Sequence, residues 1–294
     1  MLREQLRRVR NRARSARPDG RYSIELDFPP SSRLKPRWGR NRPVHRRLAA
    51  LIAAHDANYA ASLALIEEHA TDLAALDLAE TASGNSSMWS GSFFTGLDAC
   101  ALYAFLRSRD PALYIEIGSG LSTRFAARAK RDGGLRTMIV SIDPEPRQPI
   151  DSLCDMRIAE PLEEVDLGIF RGLVKGDVVF LDGSHRAFMN SDAVVFALDV
   201  LPDLAPGVLA GIHDVFLPDD YPLDWAERYY SEQYLLAAWL LAEGTRVRPV
   251  LASHHVCTSP LLNTRWRGVW SSIAEGNPYG SSFWIEMLDD STSL

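Results

Sequence analysis

A chain of 294 residues with 46% hydrophobic and 24% charged residues is long and apolar enough to bury one large core, which excludes a disordered or fibrous protein. Three cysteines at wide spacing, Cys100, Cys154 and Cys257, form no CxxC pair, which argues against a zinc framework or disulfide scaffold and for reduced thiols in a cytoplasmic protein. The net charge of −6 is uneven, since residues 1–47 hold fifteen Lys/Arg against four Asp/Glu and leave −17 on the remainder.

In chain order, residues 1–44 read as a basic arm rich in Pro and Arg. Without a recognition motif, the charge implies a solvated arm rather than a nucleic-acid partner. Its first seventeen residues also resemble an Arg-rich transit peptide, although Glu4 is out of place in one. Residues 45–88 read as a helical cap. Leu48, Ile52, Tyr59, Leu63 and Ile66 follow three-four spacing, which predicts one long helix or two over about His45 to Leu78. The apolar stripe must pack on the body of the protein or on a second copy, so a homo-oligomer is an expectation from this region. No apolar run approaches the roughly 20 residues that span a bilayer. "ASGNSSMWSGSFFTG" then breaks the helix and sets Trp89, Phe93 and Phe94 in a loop, as a lid or as core plugs.

Residues 89–294 read as the main domain. A helix over about Gly96 to Arg107 is followed by "ALYIEIG" as a strand, "STRFAARAKR" as a helix, "TMIVSID" and "DVVFLDG" as strands, "DAVVFALDVLPDL" as a helix and "GVLAGIHDV" as a strand. A helix over about Asp224 to Glu243 precedes "RVRPVLAS" and "SSFWIEML", the last two strands. Short apolar strands alternating with helices predict an α/β fold, Rossmann-like and doubly wound. Its sheet is mostly parallel, with helices on both faces and an antiparallel last strand.

"YIEIGSGLST" is a strand, a glycine turn and a helix start, the place where an open parallel sheet binds nucleotide-like ligands. Gly118 and Gly120 permit the turn and a close ligand, and Ser122 or Thr123 can cap the helix. Thr123 stands where the dinucleotide fingerprint G-x-G-x-x-G has its third glycine. Glu116 at the strand mouth would repel a pyrophosphate but could accept a hydrogen bond from a cationic amino-acid ligand. Asp143 follows the next strand at the spacing of a ribose-binding acid. "FLDGSH" brings Asp182 and His185, and "GIHDVFLPDDYP" brings His213 and Asp214, to the same sheet edge. Asp219 and Asp220 read as turn residues in a proline-stiffened rim. Tyr221, Trp225, Tyr229 and Tyr230 are candidates for a pocket roof. His254 and His255 read as structural residues on a strand, where neighbours point to opposite faces.

In this order and spacing, "YIEIGSGLST", "SIDPE", "FLDGSH" and "GIHDVFLPDDYP" resemble the class I S-adenosylmethionine-dependent methyltransferases. The likeness is to a bacterial branch with EIGSG.ST, DGSH and HDIFLP.DYP signatures. The resemblance implies S-adenosyl-L-methionine as cofactor, held by Glu116, Gly118, Ser119, Gly120, Ser122, Asp143 and Asp182, with Ala159 to Leu162 near the adenine. It implies methylation of a small-molecule acceptor, most readily at oxygen, with His185, His213 and Asp214 as catalytic candidates. An unperturbed histidine, with a pKa near 6.5, can accept a proton at neutral pH. Metal-dependent relatives carry an acid pair where this chain has His213-Asp214. Asp182 and Asp214 therefore stand as candidate ligands for a divalent ion such as Mg²⁺. Two other classes compete: a non-catalytic binding or scaffold protein on the same fold, and a nicotinamide-dependent oxidoreductase, which Glu116 and the missing glycine disfavour.

Overall fold

The computed structural model describes residues 34–39, 41–82, 89, 94, 96–242 and 246–289, with residues 77–82 as backbone alone. Contacts divide the chain into Met1–Lys35 and Pro36–Leu294, and every helix and strand of the described residues belongs to the second unit. The expectations for residues 1–33 and Phe93 fall outside the described residues.

Helices α1 (Arg46–Ala53), α2 (Asp56–Glu68) and α3 (Ala70–Ala82) replace the single long helix or pair. The first break has a local cause. The Ile52 carbonyl accepts from the His55 N–H at 3.1 Å and from the Tyr59 hydroxyl at 2.9 Å, so the turn tightens and the helix restarts. Tyr59, Leu63 and Ile66 are fully buried in the chain's own core. There α2 packs on helix α4 (Leu97–Arg109) and on two elements from late in the chain, β6 (Val247–Ala252) and α10 (Pro260–Trp270). Among the described residues no single helix is long and apolar enough to cross a membrane. The bent pair α1–α2 passes by length and composition, with its large apolar residues in that core.

The remaining strands are β1 (Leu113–Ile117), β2 (Met138–Ile142), β3 (Met156–Ile158), β4 (Val178–Leu181), β5 (Leu209–Ile212) and β7 (Phe283–Met287). The sheet order is β3-β2-β1-β4-β5-β7-β6. β3 through β5 pair in parallel, and β7 lies antiparallel to both β5 and β6. Apolar residues such as Ile115, Val140, Val179 and Ala210 fill the middle of the central strands and are at most 1% exposed, as a sheet covered by helices requires. This is the Rossmann-like arrangement expected, antiparallel last strand included. Helices surround the sheet: α4 packs on α5 (Leu121–Gly133), α6 is the short Gly168–Arg171, and α7 (Asp192–Val195) packs on α8 (Glu232–Leu241). α9 (Ser253–Thr258) leads into α10.

Three expected elements differ. "DAVVFALDVLPDL" is helical as far as Asp203, but only α7 is α-helix, continued by a π-helical turn at Phe196–Val200 and a 3₁₀ turn at Leu201–Asp203, where Pro202 cannot donate to an α-helical ladder. The helix expected over 224–243 is a 3₁₀ turn at Leu223–Arg228 and then α8, broken at Tyr229, whose φ is 55°. The break is pinned from outside, since the Ser231 N–H donates to the His185 carbonyl at 2.8 Å and the Ser231 hydroxyl accepts from Ala187 N–H at 2.8 Å. His254 and His255 are not on a strand, because β6 ends at Ala252 and both belong to α9.

Candidate active site

The strand ends form one registered row. Asp143 N–H donates to Ile158, Gly118 to Ile142, Asp182 to Ile117 and His213 to Leu181, at 3.0, 3.0, 2.8 and 2.9 Å. The residue after each of four adjacent strands therefore continues the ladder by one rung, and the candidate side chains leave the sheet side by side. This row spans the topological switch between β1 and β4, where open α/β sheets bind ligands. Gly118 has a φ of 79°, and a Cβ there would stand 2.0 Å from the Asp182 carbonyl oxygen. Gly118→Ala is accordingly expected to cost about 3 kcal/mol, combining left-handed strain with overpacking, measurable as a lowered urea midpoint.

Two cavities open beside the row. The first, of about 380 Å³, runs along the glycine turn and is lined by Gly118, Ser119, Asp143, Pro161, Leu162, Asp182 and His185, among others. Its wall holds five carboxylates, Asp143, Glu145, Glu163, Asp182 and Asp192, and one arginine, Arg147. Such a set of acceptors suits a ligand with hydroxyls and positive charge and repels a pyrophosphate. Asp143 accepts from Ser119 N–H at 2.9 Å, from the Ser119 hydroxyl at 2.7 Å and from Glu145 N–H at 2.8 Å, so it also shapes the glycine turn.

Glu116, Gly120 and Ser122 do not line this cavity. Glu116 is fully buried beneath the turn and accepts from the hydroxyls of Thr123 at 2.5 Å, Ser122 at 3.2 Å and Tyr114 at 3.3 Å. Burial, with Asp182 adding to it, outweighs these hydroxyls and pushes its pKa up to about 8. Its place is under the helix start rather than at the cavity surface.

The second cavity, of about 440 Å³, shares Arg147, Asp182 and His185 with the first and adds His213, Asp214, Trp225, Tyr230 and Tyr279. His185 and Asp214 both have left-handed φ, 62° and 55°, which is uncommon outside glycine and clusters at functional positions. His185 Nδ1 stands 2.5 Å from Glu232 Oε1 at the start of α8, and Tyr230 stacks on its ring at 4.4 Å. Its Nε2 is 3.4 Å from Asp182 and 3.6 Å from Asp214. His213 is clamped from both sides, with Nδ1 3.1 Å from Asp182 and Nε2 3.4 Å from Asp98.

Four carboxylates thus surround two imidazoles. For His185, burial works against the imidazolium, but Glu232, Asp182 and Asp214 outweigh it and raise the pKa to about 9. Burial also opposes charge on His213, and Asp182, Asp214 and Asp98 overcome it, holding its pKa well above the ordinary value. Burial would raise Asp182, yet His213, His185 and Arg147 bring it down to about 2. His185 is therefore charged at pH 7 in the free protein, and the carboxylates bias His213 the same way, in contrast to the unperturbed titration expected of them. The signs set the stability profile. The His185 contribution is whole below pH 6.5 and is lost as pH rises through about 9, while Glu116, ionising through about 8, adds a loss of the same sign. The Asp182 contribution is lost as pH falls from 3.8 through about 2. Denaturation midpoints should fall between pH 6.5 and 9, and His185→Gln should flatten that fall.

Among the described residues no group of three or more His, Cys, Asp or Glu side chains is arranged to hold a metal ion. Asp182 and Asp214 are committed to the imidazoles, so the donor set does not fit the Mg²⁺-like ion expected there. Asp98 and Glu232, which face the histidines, and Arg147 and Tyr279, which line the cavities, are members of the site that sequence reasoning missed. Phe94 is a core plug, 2% exposed and packed on Phe125, Phe180 and His213. Trp225 and Tyr230 line the second cavity, whereas Tyr229 is 46% exposed. Asp220 is more than a turn residue, since it accepts from Arg37 N–H at 2.7 Å and from the Tyr234 hydroxyl at 2.6 Å.

No curated protein sequence matches the chain. Among solved structures it is similar to an O-methyltransferase from Bacillus cereus in complex with SAH, at 15% identity over 74% of this chain and 91% of that one, with a TM-score of 0.40. It is also similar to a methyltransferase of Podospora anserina bound to SAH, at 15% identity over 85% of this chain and 100% of that one, with a TM-score of 0.42. Residues 115–215 match the family model described as a methyltransferase domain. That stretch is thus similar to a methyltransferase domain and carries the strand ends of both cavities on a Rossmann-like sheet, in line with the class I resemblance of its motifs.

Proposed function

We propose that the protein transfers the methyl group of S-adenosylmethionine, bound along the glycine turn, to a hydroxyl of a small molecule held in the second cavity. The observation that carries this reading is the common wall: Arg147, Asp182 and His185 line both cavities, so a methyl donor in one and an acceptor in the other meet at those side chains. Ser119 and Asp143 would hold the cofactor's polar groups, and Asp182 would face its positive charge. When bound, the sulfonium supplies an electrophilic methyl for an in-line displacement, which a protein serves mainly by alignment.

His185 is the group that removes the acceptor's proton, through Nε2. Its own proton is held by Asp182, Asp214 and Glu232. A second positive charge beside Asp182 partly neutralises that field and lowers the ring's pKa, so the base is freed when the cofactor site fills. His213 lines the acceptor cavity alone, whereas His185 also lines the cavity along the glycine turn where the cofactor would lie, which favours His185 as the base. Isothermal titration with S-adenosylmethionine, S-adenosylhomocysteine and NAD tests the reading. Binding of the first two without NAD is expected, and NAD binding without either sulfur compound overturns it in favour of hydride transfer.

A further inference from the structure

A third histidine reaches the acceptor cavity by an indirect route. Tyr279 lines that cavity, and its hydroxyl lies 2.6 Å from His254 Nδ1. His254 is 2% exposed on α9, with Phe216 edge-on to its ring at 5.6 Å. Its Nε2 stands 3.3 Å from Asp219 Oδ2. Asp219 is backed by the N-terminal segment, for a Cβ on Gly39 would lie 2.1 Å from Asp219 Oδ1. These residues come from four separate parts of the chain and line up as Asp219, His254, Tyr279, cavity.

The chemistry of this line has a direction. A carboxylate beside Nε2 favours the ring proton on that nitrogen and leaves Nδ1 as an acceptor. The Tyr279 hydroxyl then donates to Nδ1, and an oxygen whose only proton is committed can offer a ligand nothing but a lone pair. Phe216 lies nearly parallel to Tyr279, at 6.4 Å and 30°, and Trp225 stands edge-on to Phe216 at 5.1 Å. Flat apolar faces beside one fixed acceptor suit a ring that carries a hydrogen-bond donor.

We propose that the acceptor substrate is a ring compound with two hydroxyls, one methylated at His185 and the other donating to Tyr279, with His254 and Asp219 as positioning residues that fix Tyr279 as an acceptor. The inference rests on the methyl-transfer reading of the same cavity. In methyl transfer the methylated hydroxyl loses its proton to His185 and its oxygen bonds the methyl as the carbon–sulfur bond breaks. The second hydroxyl is unchanged.

The test is binding at saturating S-adenosylhomocysteine of two probe pairs, cyclohexane-1,2-diol against cyclohexanol and 1,2-dihydroxybenzene against phenol. The wild type is expected to prefer the diols. Tyr279→Phe should lose about three- to tenfold in diol affinity, the worth of one hydrogen bond, with no change for the single-hydroxyl probes. Asp219→Asn, which can donate to Nε2 and reverse the ring tautomer, should abolish the preference with the homocysteine affinity unchanged. In the wild type, ¹⁵N spectra of His254 should show the proton on Nε2. Equal affinity for both members of each pair, a preference that survives in Asp219→Asn, or a proton on Nδ1 would overturn the inference. Absence of S-adenosylhomocysteine binding to the wild type would instead overturn the methyl-transfer reading beneath it.

Discussion

Replacing His185 with glutamine lowers kcat by about 10²–10⁴-fold, the range that a positioned general base contributes, while the Kd for S-adenosylhomocysteine stays within about threefold, a change of under ~1 kcal/mol. Glutamine keeps a polar group of similar length beside Tyr230 but cannot take a proton. The same change at His213 should mainly cost stability, because that ring is held between Asp98 and Asp182, lies tilted against Phe94, and lines the acceptor cavity without reaching the cavity along the glycine turn. Initial rates of S-adenosylhomocysteine release with a competent acceptor separate the two outcomes. If the His213 variant loses turnover with unchanged stability and the His185 variant keeps it, the assignment of the base is reversed.

Asp98→Ala destabilises the fold by about 3–5 kcal/mol, as expected when one partner of a buried ion pair is removed. Asp98 sits in the first turn of α4, is 3% exposed, and accepts from the backbone N–H groups of Ser281 and Ser282, both at 2.7 Å. Its deletion leaves two buried donors and the His213 imidazolium without their acceptor. Burial alone would raise the Asp98 carboxyl, but His213 and the two serines hold it below the ordinary value, so its stabilising effect persists across neutral pH. Asp98→Asn retains one oxygen acceptor and should lose less. Urea denaturation with an unchanged m-value checks both, and a loss under about 1 kcal/mol for the alanine variant would show that the loop at 281–282 is held by other contacts.

The strands were legible because each central one is a short apolar run closed by glycine or a carboxylate, and the chain needed both faces of those runs covered. β3 was not, since "MRI" is only three residues with Met156 47% exposed, and an edge strand of that length carries no period. The long apolar stripe after His45 showed which face is buried but not where the helix bends. That depended on where the Ile52 carbonyl found its donors. At the site, residues that end strands could be read from sequence: Asp143, Asp182, His213 and Asp214. Those that complete it could not. Asp98 and Glu232 open helices far away in the chain, and each reaches its histidine only because the sheet edge brings them together. A signal for Glu232 lay in Tyr229 to Ser231, where an otherwise continuous helical pattern is interrupted by polar residues.

β7 lies between β5 and β6, antiparallel to both, although it is made after them. During synthesis, β5 therefore has an unsatisfied backbone edge, and β6 has no strand to join, until residues 283–287 have left the ribosome. Ser281 and Ser282, which tie Asp98 and Asp214 to the site, arrive with that strand. The half-made chain thus exposes an open edge of the kind that recruits other chains, and both sheet closure and the assembly of the acceptor cavity are deferred to the same late event. Released chains truncated before Phe283 should be the aggregation-prone species, and released chains that extend past Met287 should be protected from protease.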